Sequence, residues 1–287
     1  MTMRYKDEFV AFILTHGRPE KVVTHRTLKQ RGYTGRLIYV VDSGDSMVSE
    51  YQRKFGKSNV VIFDKEDIAT RMDQGDNRTD RLSIVYARNA CFEIAAQLNY
   101  KYFIQLEDDY VGFYHTFDPQ RNYITKNKHI HDLDGVFDTM VDFYNDTSAT
   151  CVAMLQGGDL IGGPGGSIWT KVTRKAMNTL VCSTDNPFQF VGRMNDDVST
   201  YILLGSRGHL FFSIPNTNLQ QTATQSQAGG LTDMYKAYGT YTKSFYSVMY
   251  NPSSVRIGMM GYAHPRLHHI IKWNMAVPKI ISQRHKK

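Results

Sequence analysis

Tyr102-Phe103-Ile104-Gln105-Leu106-Glu107-Asp108-Asp109 decides the fold: a mainly apolar, strand-forming run stops abruptly on three acids. In open α/β sheets, ligands bind just outside the carboxyl ends of the strands. Three adjacent carboxylates at such an end repel one another, and a divalent cation is the simplest relief of that repulsion. On its own the triplet fits two descriptions, a metal site or a solvated loop start that caps a helix.

The flanking sequence supplies an α/β context. Upstream, Phe9–Leu14 is an apolar strand ended by Thr15-His16-Gly17-Arg18-Pro19, and Pro19 suits the first turn of a helix over Glu20–Arg31. Leu37–Val41 is a second strand, stopped by Asp42-Ser43-Gly44-Asp45, and Val60–Phe63 a third. A polar loop, Thr70–Asp80, leads into a helix over Arg81–Leu98 with Ile84, Ala87, Cys91, Ile94, Ala95 and Leu98 on one face. Strands this apolar, alternating with helices, imply a mostly parallel sheet covered on both faces.

Downstream, His115–Ile130 lacks a clear period, Leu133–Tyr144 is helical, and Thr150–Leu155 is a strand. The glycines of Gly157-Gly158 and Gly162-Gly163-Pro164-Gly165-Gly166 lack the spacing of a phosphate-binding loop, so they are expected to form tight turns beside a ligand. A helix over Val172–Val181, a second over Val198–Leu204 closed by Gly205, and a strand over Leu210–Ile214 complete the body. Gln220–Gly230, rich in Gln, Thr, Ser and Gly, is expected to be a mobile loop. The expected organisation is one α/β body over residues 1–219 and a basic extension over 220–287.

At 287 residues, 41% hydrophobic and 21% charged, the chain has ordinary globular composition. No apolar run approaches the ~20 residues needed to cross a bilayer, so no membrane partner is expected. Met1–Val10 lacks the apolar core of a signal peptide, and Cys91, Cys151 and Cys182 match no disulfide or zinc pattern. A reducing cytoplasm and a role as small core residues fit these cysteines. Residues 234–287 hold nine Lys or Arg and no acid, leaving 25 basic against 27 acidic residues in the rest. That asymmetry suits a polyanionic partner, nucleotide diphosphate or nucleic acid, or else a solubilising tail.

Ala87-Arg88-Asn89-Ala90, followed by the Tyr102–Leu106 strand and Glu107-Asp108-Asp109, resembles the helix–strand–DxD passage of the GT-A glycosyltransferases. The resemblance implies a GT-A-like single domain that binds a UDP-sugar with Mn²⁺ or Mg²⁺. Asp109 is implied as the direct metal ligand, with Glu107, in place of the usual first Asp, near the ribose and metal, and Asp108 between them. Thr15, His16, Gly17 and Arg18 fall where that fold holds uridine, and Asp42 where it meets the base or ribose. Arg88 and Arg18 are implied diphosphate or uridine contacts. Asn195-Asp196-Asp197 looks like the family's xED segment, which makes Asp197, with Asp196 beside it, the general base; a plain helix cap is the alternative. A C-terminal His completes such metal sites, from among His264, His268 and His269. Adjacent histidines point apart in regular structure, so one binds, His269 before His268.

Tyr235, Tyr238, Tyr241, Phe245 and Tyr246 recur at near-helical spacing, which suits an amphipathic helix packed on the core. Lys243-Ser244-Phe245-Tyr246, Arg266-Leu267-His268-His269, Trp273 and Pro278-Lys279-Ile280 resemble the phage TET/JBP-associated glycosyltransferases, which modify 5-hydroxymethylcytosine in DNA. The resemblance spans Phe12 to Ile280. It implies UDP-glucose as donor, inversion at the anomeric carbon, and acceptor contacts from Lys243, Tyr246, Arg266, Lys272 and Trp273. It also implies a host cytoplasm as the place of action, and leaves the oligomeric state open. A glycan, lipid or protein acceptor, a non-catalytic DNA-binding module on this fold, and a nucleotidyltransferase are the competing descriptions.

Overall fold

Phe9–Leu14 forms the first strand, β1, and is buried at every position, as an unbroken apolar run requires of a strand covered on both faces. The computed structural model describes residues 2–170, 175–222, 231–261, 265–277 and 283. β1 pairs in parallel with β2 (Arg36–Asp42) on one side and β4 (Tyr102–Glu107) on the other, and β2 with β3 (Val60–Phe63). Helices α1 (Thr24–Gln30), α2 (Val48–Phe55), α3 (Lys65–Thr70) and α4 (Val85–Gln97) make the connections. The register sets Leu14 opposite both Val40 and Glu107. The loops after β1, β2 and β4 therefore leave the sheet at one edge.

The chain then adds β5 (Tyr110–Phe117), β6 (Tyr123–His129), α5 (Leu133–Asp146), β7 (Ala149–Gln156), the single-turn α6 (Ser167–Thr170), β8 (Leu180–Ser183), α7 (Asp196–Ser206) and β9 (Leu210–Gln221). One nine-stranded sheet results, in the order β3-β2-β1-β4-β8-β7-β9-β5-β6. β8 and β5 run against the other strands, so the sheet is mostly parallel, in the GT-A-like manner expected. Alternate residues of β1 serve two cores: Val10, Phe12 and Leu14 pack towards α4, and Phe9, Ala11 and Ile13 towards α5. Truncating Phe12 to Ala would cost about 3–5 kcal/mol, because no neighbour can collapse into the space. Past β9, α8 (Leu231–Tyr238) and α9 (Thr242–Tyr250) lead to a β10–β11 hairpin (Val255–Met260, Arg266–Ile271) and α10 (Trp273–Ala276). α10 approaches α7 so closely that a Cβ on Gly205 would lie 2.8 Å from the Ala276 carbonyl oxygen. No helix among the described residues is long and apolar enough to cross a membrane.

Several expected elements differ. His115–Ile130, expected to be irregular, contributes to two antiparallel strands at the far side of the sheet, Tyr110–Phe117 and Tyr123–His129. Their mixed polar and aromatic residues suit an edge pair, where alternation is weak. No helix forms over 175–181. Thr179 adopts a positive φ of 54° and turns the chain into β8, which wedges antiparallel between β4 and β7. Residues 171–174 of that expected helix lie outside the described residues. The helix after β1 is shorter than Glu20–Arg31, with a 3-10 turn at Pro19–Lys21 before α1. α4 begins at Val85 and is apolar on nearly all sides, since it lies between the sheet and other helices. β9 continues to Gln221, so the expected loop at Gln220–Gly230 starts later; residues 223–230 lie outside the described residues. All three cysteines are free and buried.

Candidate active site

Asp108, the middle acid, turns inward. Its side chain is 1% exposed, and Arg18 grips both oxygens, Nε and Nη2 each at 2.8 Å. Thr15 Oγ1 donates to the same carboxylate at 2.7 Å, and Tyr51 joins Thr15 to the Arg18 backbone amide. A bidentate pair of this kind fixes the turn after β1 onto the end of β4. Asp108, expected among the cofactor-binding residues, thus has its carboxylate already engaged by Arg18 and Thr15.

Glu107 and Asp109, one residue to either side, face together. Gln221 Nε2 lies 3.5 Å from Glu107 Oε2 and 3.5 Å from Asp109 Oδ1. A single electropositive atom thus meets both carboxylates. Thr222 Oγ1 donates to Asp109 Oδ2 at 2.9 Å. Burial above all, then repulsion from Asp109, Asp196 and Asp108, pushes Glu107 up to about 7, although Arg88 acts to lower it. Hard carboxylate oxygens converging on one point suit Mg²⁺ or Mn²⁺, which complete their shells with substrate phosphates and water.

Arg88 is buried and links the two acid motifs. Its Nη2 donates to Glu107 Oε1 at 3.0 Å and its Nη1 to Asp196 Oδ2 at 2.6 Å. Gln105 holds the Arg88 carbonyl at 3.0 Å. The guanidinium, expected as a diphosphate or uridine contact, sits between two carboxylates and so also positions both acids. Asp196 is likewise taken up in this pair. Asp197, partly buried, accepts from the Val198 amide at 2.8 Å. Burial first, then Asp196, raises its carboxyl to about 6 against the pull of Arg88, a value matched to proton abstraction near neutral pH. Asn195, in the left-handed region at φ 57°, makes no side-chain cap to α7. Its amide reaches Ser247 at 2.8 Å and His269 Nδ1 at 3.2 Å instead.

The histidines sit on β11. Their rings lie 4.1 Å apart, against the expectation that neighbours point away from one another. Burial lowers both pKa values, His269 to about 3, and Lys243 and Lys175 add to the effect. Both are neutral, as a metal ligand must be. Asn195 Nδ2 lies 3.2 Å from His269 Nδ1, so that nitrogen is engaged when the ring proton lies on Nε2. His268 Nδ1 is buried with no hydrogen-bond partner among the described residues. His268 thus stands beside His269 as a candidate third ligand. Among the described residues neither histidine closes with Glu107 and Asp109 into a three-ligand group within 4.8 Å; His264 lies outside the described residues.

One such group does exist, His16, Asp42 and Asp45. Its positive partners are already in place. His16 Nδ1 is 2.5 Å from Asp42 Oδ2, Lys65 Nζ is 3.0 Å from Asp42 Oδ1, and the Gly17 amide donates to Asp45 at 2.6 Å. Although burial pushes Asp42 up, His16 and Lys65 hold it at about 2, and the bond to Asp42 raises His16. Each carboxylate of the cluster thus already has a hydrogen-bonding partner, Asp42 in His16 and Lys65 and Asp45 in the Gly17 amide.

The acceptor residues divide. Arg266 and Lys272 are exposed. Lys243 Nζ lies over the Tyr235 ring, 5.4 Å from its centroid, and burial and Arg266 lower its pKa while Asp197 acts the other way. Tyr246 is buried, packs with Met194 and Met234, and donates its hydroxyl to Asp76. Trp273 stacks on Tyr201 at 5.8 Å against the core. These two rings, expected as acceptor contacts, pack the extension against the body. Tyr235, Gln221, Thr222, Tyr51 and Lys65 were not singled out from sequence. Tyr235 lies near Asp197, Asp196 and Glu107, whose charges, after burial, raise its hydroxyl pKa; its only sequence signal is aromatic spacing.

The family model for TET-associated glycosyltransferases matches residues 9–230. No curated protein matches the chain by sequence. Similar solved structures include the mannosyltransferase PcManGT from Pyrobaculum calidifontis, in complex with GDP-Man and Mn²⁺, at 11% identity and a TM-score of 0.49, over 84% of this chain and 64% of that one. The chain thus spans just under two thirds of that protein. Glucosyl-3-phosphoglycerate synthase from Mycobacterium tuberculosis, in complex with Mg²⁺ and UDP, is similar at 10% identity and 0.46, over 92% and 87% of the two chains. S. aureus TarS in complex with UDP is similar at 11% identity and 0.43, over 85% and 65%.

Proposed function

The chain belongs to the TET-associated glycosyltransferases, and from that membership we propose that it moves a sugar from a UDP-sugar, UDP-glucose foremost, to the hydroxymethyl group of 5-hydroxymethylcytosine in DNA. The observation that carries this reading is the convergence of Glu107 and Asp109 on one point, joined through Arg88 to Asp196 and its neighbour Asp197. Glu107 and Asp109, with His268 or His269 as third ligand, are the residues to hold Mn²⁺ or Mg²⁺. When bound, that cation supplies Lewis-acid stabilisation of the charge developing on the leaving diphosphate.

The chain's own residues do the rest. Asp42 and His16, held by their mutual hydrogen bond, orient the nucleoside at the end of β2. Arg88 keeps Glu107 and Asp196 apart and in place. Asp197 accepts the proton of the acceptor hydroxyl as its oxygen attacks the anomeric carbon. The new carbon–oxygen bond forms as the bond to the diphosphate breaks, UDP leaves, and the anomeric centre inverts. The 5-hydroxymethyl group takes the place of the thymine methyl in the major groove, and the exposed Arg266 and Lys272 suit its flanking phosphates.

The test is incubation with hydroxymethylated and unmodified DNA, Mn²⁺ and a panel of UDP-sugars, followed by mass analysis of the nucleosides. The expected product is 5-hydroxymethylcytosine carrying one added sugar, with unmodified cytosine untouched. UDP release with a glycan, lipid or protein acceptor but no change in any nucleoside would overturn the DNA assignment.

A further inference from the structure

β2 delivers Asp42 to the donor edge, but its other end serves a separate space. Leu37 lies five residue steps before Asp42, roughly 16 Å along the strand. Around that amino-terminal end, β2, α1 and α2 line an open cavity of about 700 Å³. Tyr39 and Phe55 stack beneath it with centroids 3.9 Å apart, and His25 lies 5.4 Å from Phe55. This aromatic floor belongs to no part of the site described above.

The walls are cationic. Arg26 and Lys29 project from successive turns of α1, and Arg36 from the start of β2. Among the described residues none of the three has a carboxylate partner; Arg36 donates only to the Ser58 carbonyl, at 2.8 Å. The acid in the lining, Glu20, is already paired with Lys54 at 2.7 Å. Burial first, then Lys29, Lys54 and Arg26, lowers the pKa of His25, which leaves a neutral ring suited to stacking. Three uncompensated cations around one concavity favour a multiply charged anion. A flat ring beside them favours a ligand that carries an aromatic group of its own.

We propose that this cavity is a second binding site, for a nucleoside phosphate, with the phosphate towards Arg26, Lys29 and Arg36 and the base against His25 and Phe55. The ligand is a free nucleotide or a nucleotide within a nucleic-acid strand. The assignment does not rest on the acceptor proposed above. The full chain, in EDTA, is titrated with AMP and separately with a short single-stranded oligothymidylate. The His25 ring and the amides of residues 24–30 and 54–59 are followed by NMR. One or both probes are expected to shift these signals, with affinity falling at least tenfold in R26E/K29E and several-fold in R36Q. UDP binding with Mn²⁺ should persist in both variants, which reports an intact fold and donor edge. A response to AMP identifies a free nucleotide, and a response to the oligonucleotide alone identifies a strand. Signals that respond to neither probe, or affinities unchanged in both variants, would overturn the proposal.

Discussion

The two flanks of the donor edge are finished differently. On the β1–β2 flank, Asp108 is closed by Arg18 and Thr15, and Asp42 by His16 and Lys65. On the α7–β11 flank, His268 Nδ1, Ser244 Oγ and Ser254 Oγ are buried without hydrogen-bond partners, and Lys243 has no carboxylate within ion-pair reach among the described residues. Buried polar groups left unpaired are costly. A flank already satisfied suits a ligand that always binds in one pose, such as a nucleoside. One with groups in reserve suits partners that arrive and leave, the acceptor and the transferred sugar.

The sharpest way to break this contrast is at Asp197. Asp197→Asn should reduce transfer by about 10²–10⁴-fold while UDP-sugar affinity, measured calorimetrically, stays unchanged. A carboxyl raised to about 6 must lose its proton before it can act as base, so wild-type kcat/KM should fall as pH drops below about 6. Retained turnover in the Asn variant would remove the base from the open flank.

Arg88 joins the flanks. Arg88→Met leaves the buried Asp196 without its cation and removes a partner of the half-buried Glu107, and urea denaturation should show a loss of about 3 kcal/mol. Asp42→Asn tests the closed flank alone. Its folded carboxyl sits at about 2, below the ordinary 3.8, so its contribution is fully present above pH 4 and is lost as pH falls towards 2. The variant should be less stable by about 2 kcal/mol at pH 7, with the difference from wild type closing below pH 4. Tyr246→Phe is the smallest change. It should cost about 1 kcal/mol through the lost bond to Asp76 and leave DNA affinity alone, whereas Lys272→Ala should weaken DNA binding and flatten its salt dependence.

The closed flank was largely legible in the sequence. Strands such as Phe9–Leu14 and Tyr102–Leu106 are buried on both faces, so their composition alone marks them. Acids directly after such strands must lie at the sheet edge. Which acid turns inward was not legible, because that depends on Arg18, 90 residues away in sequence, reaching Asp108. Leu180 and Val181, the start of β8, fall in the helix expected over Val172–Val181 because so short an apolar run carries no period that separates helix from strand. On the open flank, Tyr246 looked like an acceptor contact because its burial depends on Asp76 and Met194, distant in sequence. The contact that separates His269 from His268 is a single Asn195 amide, which no sequence pattern announces.

The central claim is that Glu107 and Asp109 hold a divalent cation against the diphosphate of the donor. Calorimetric titration of UDP with and without Mn²⁺, in wild type and in Asp109→Asn, tests it most directly. The account predicts that Mn²⁺ tightens UDP binding at least tenfold in wild type and has no effect in the variant. Equal enhancement by Mn²⁺ in both proteins would contradict it.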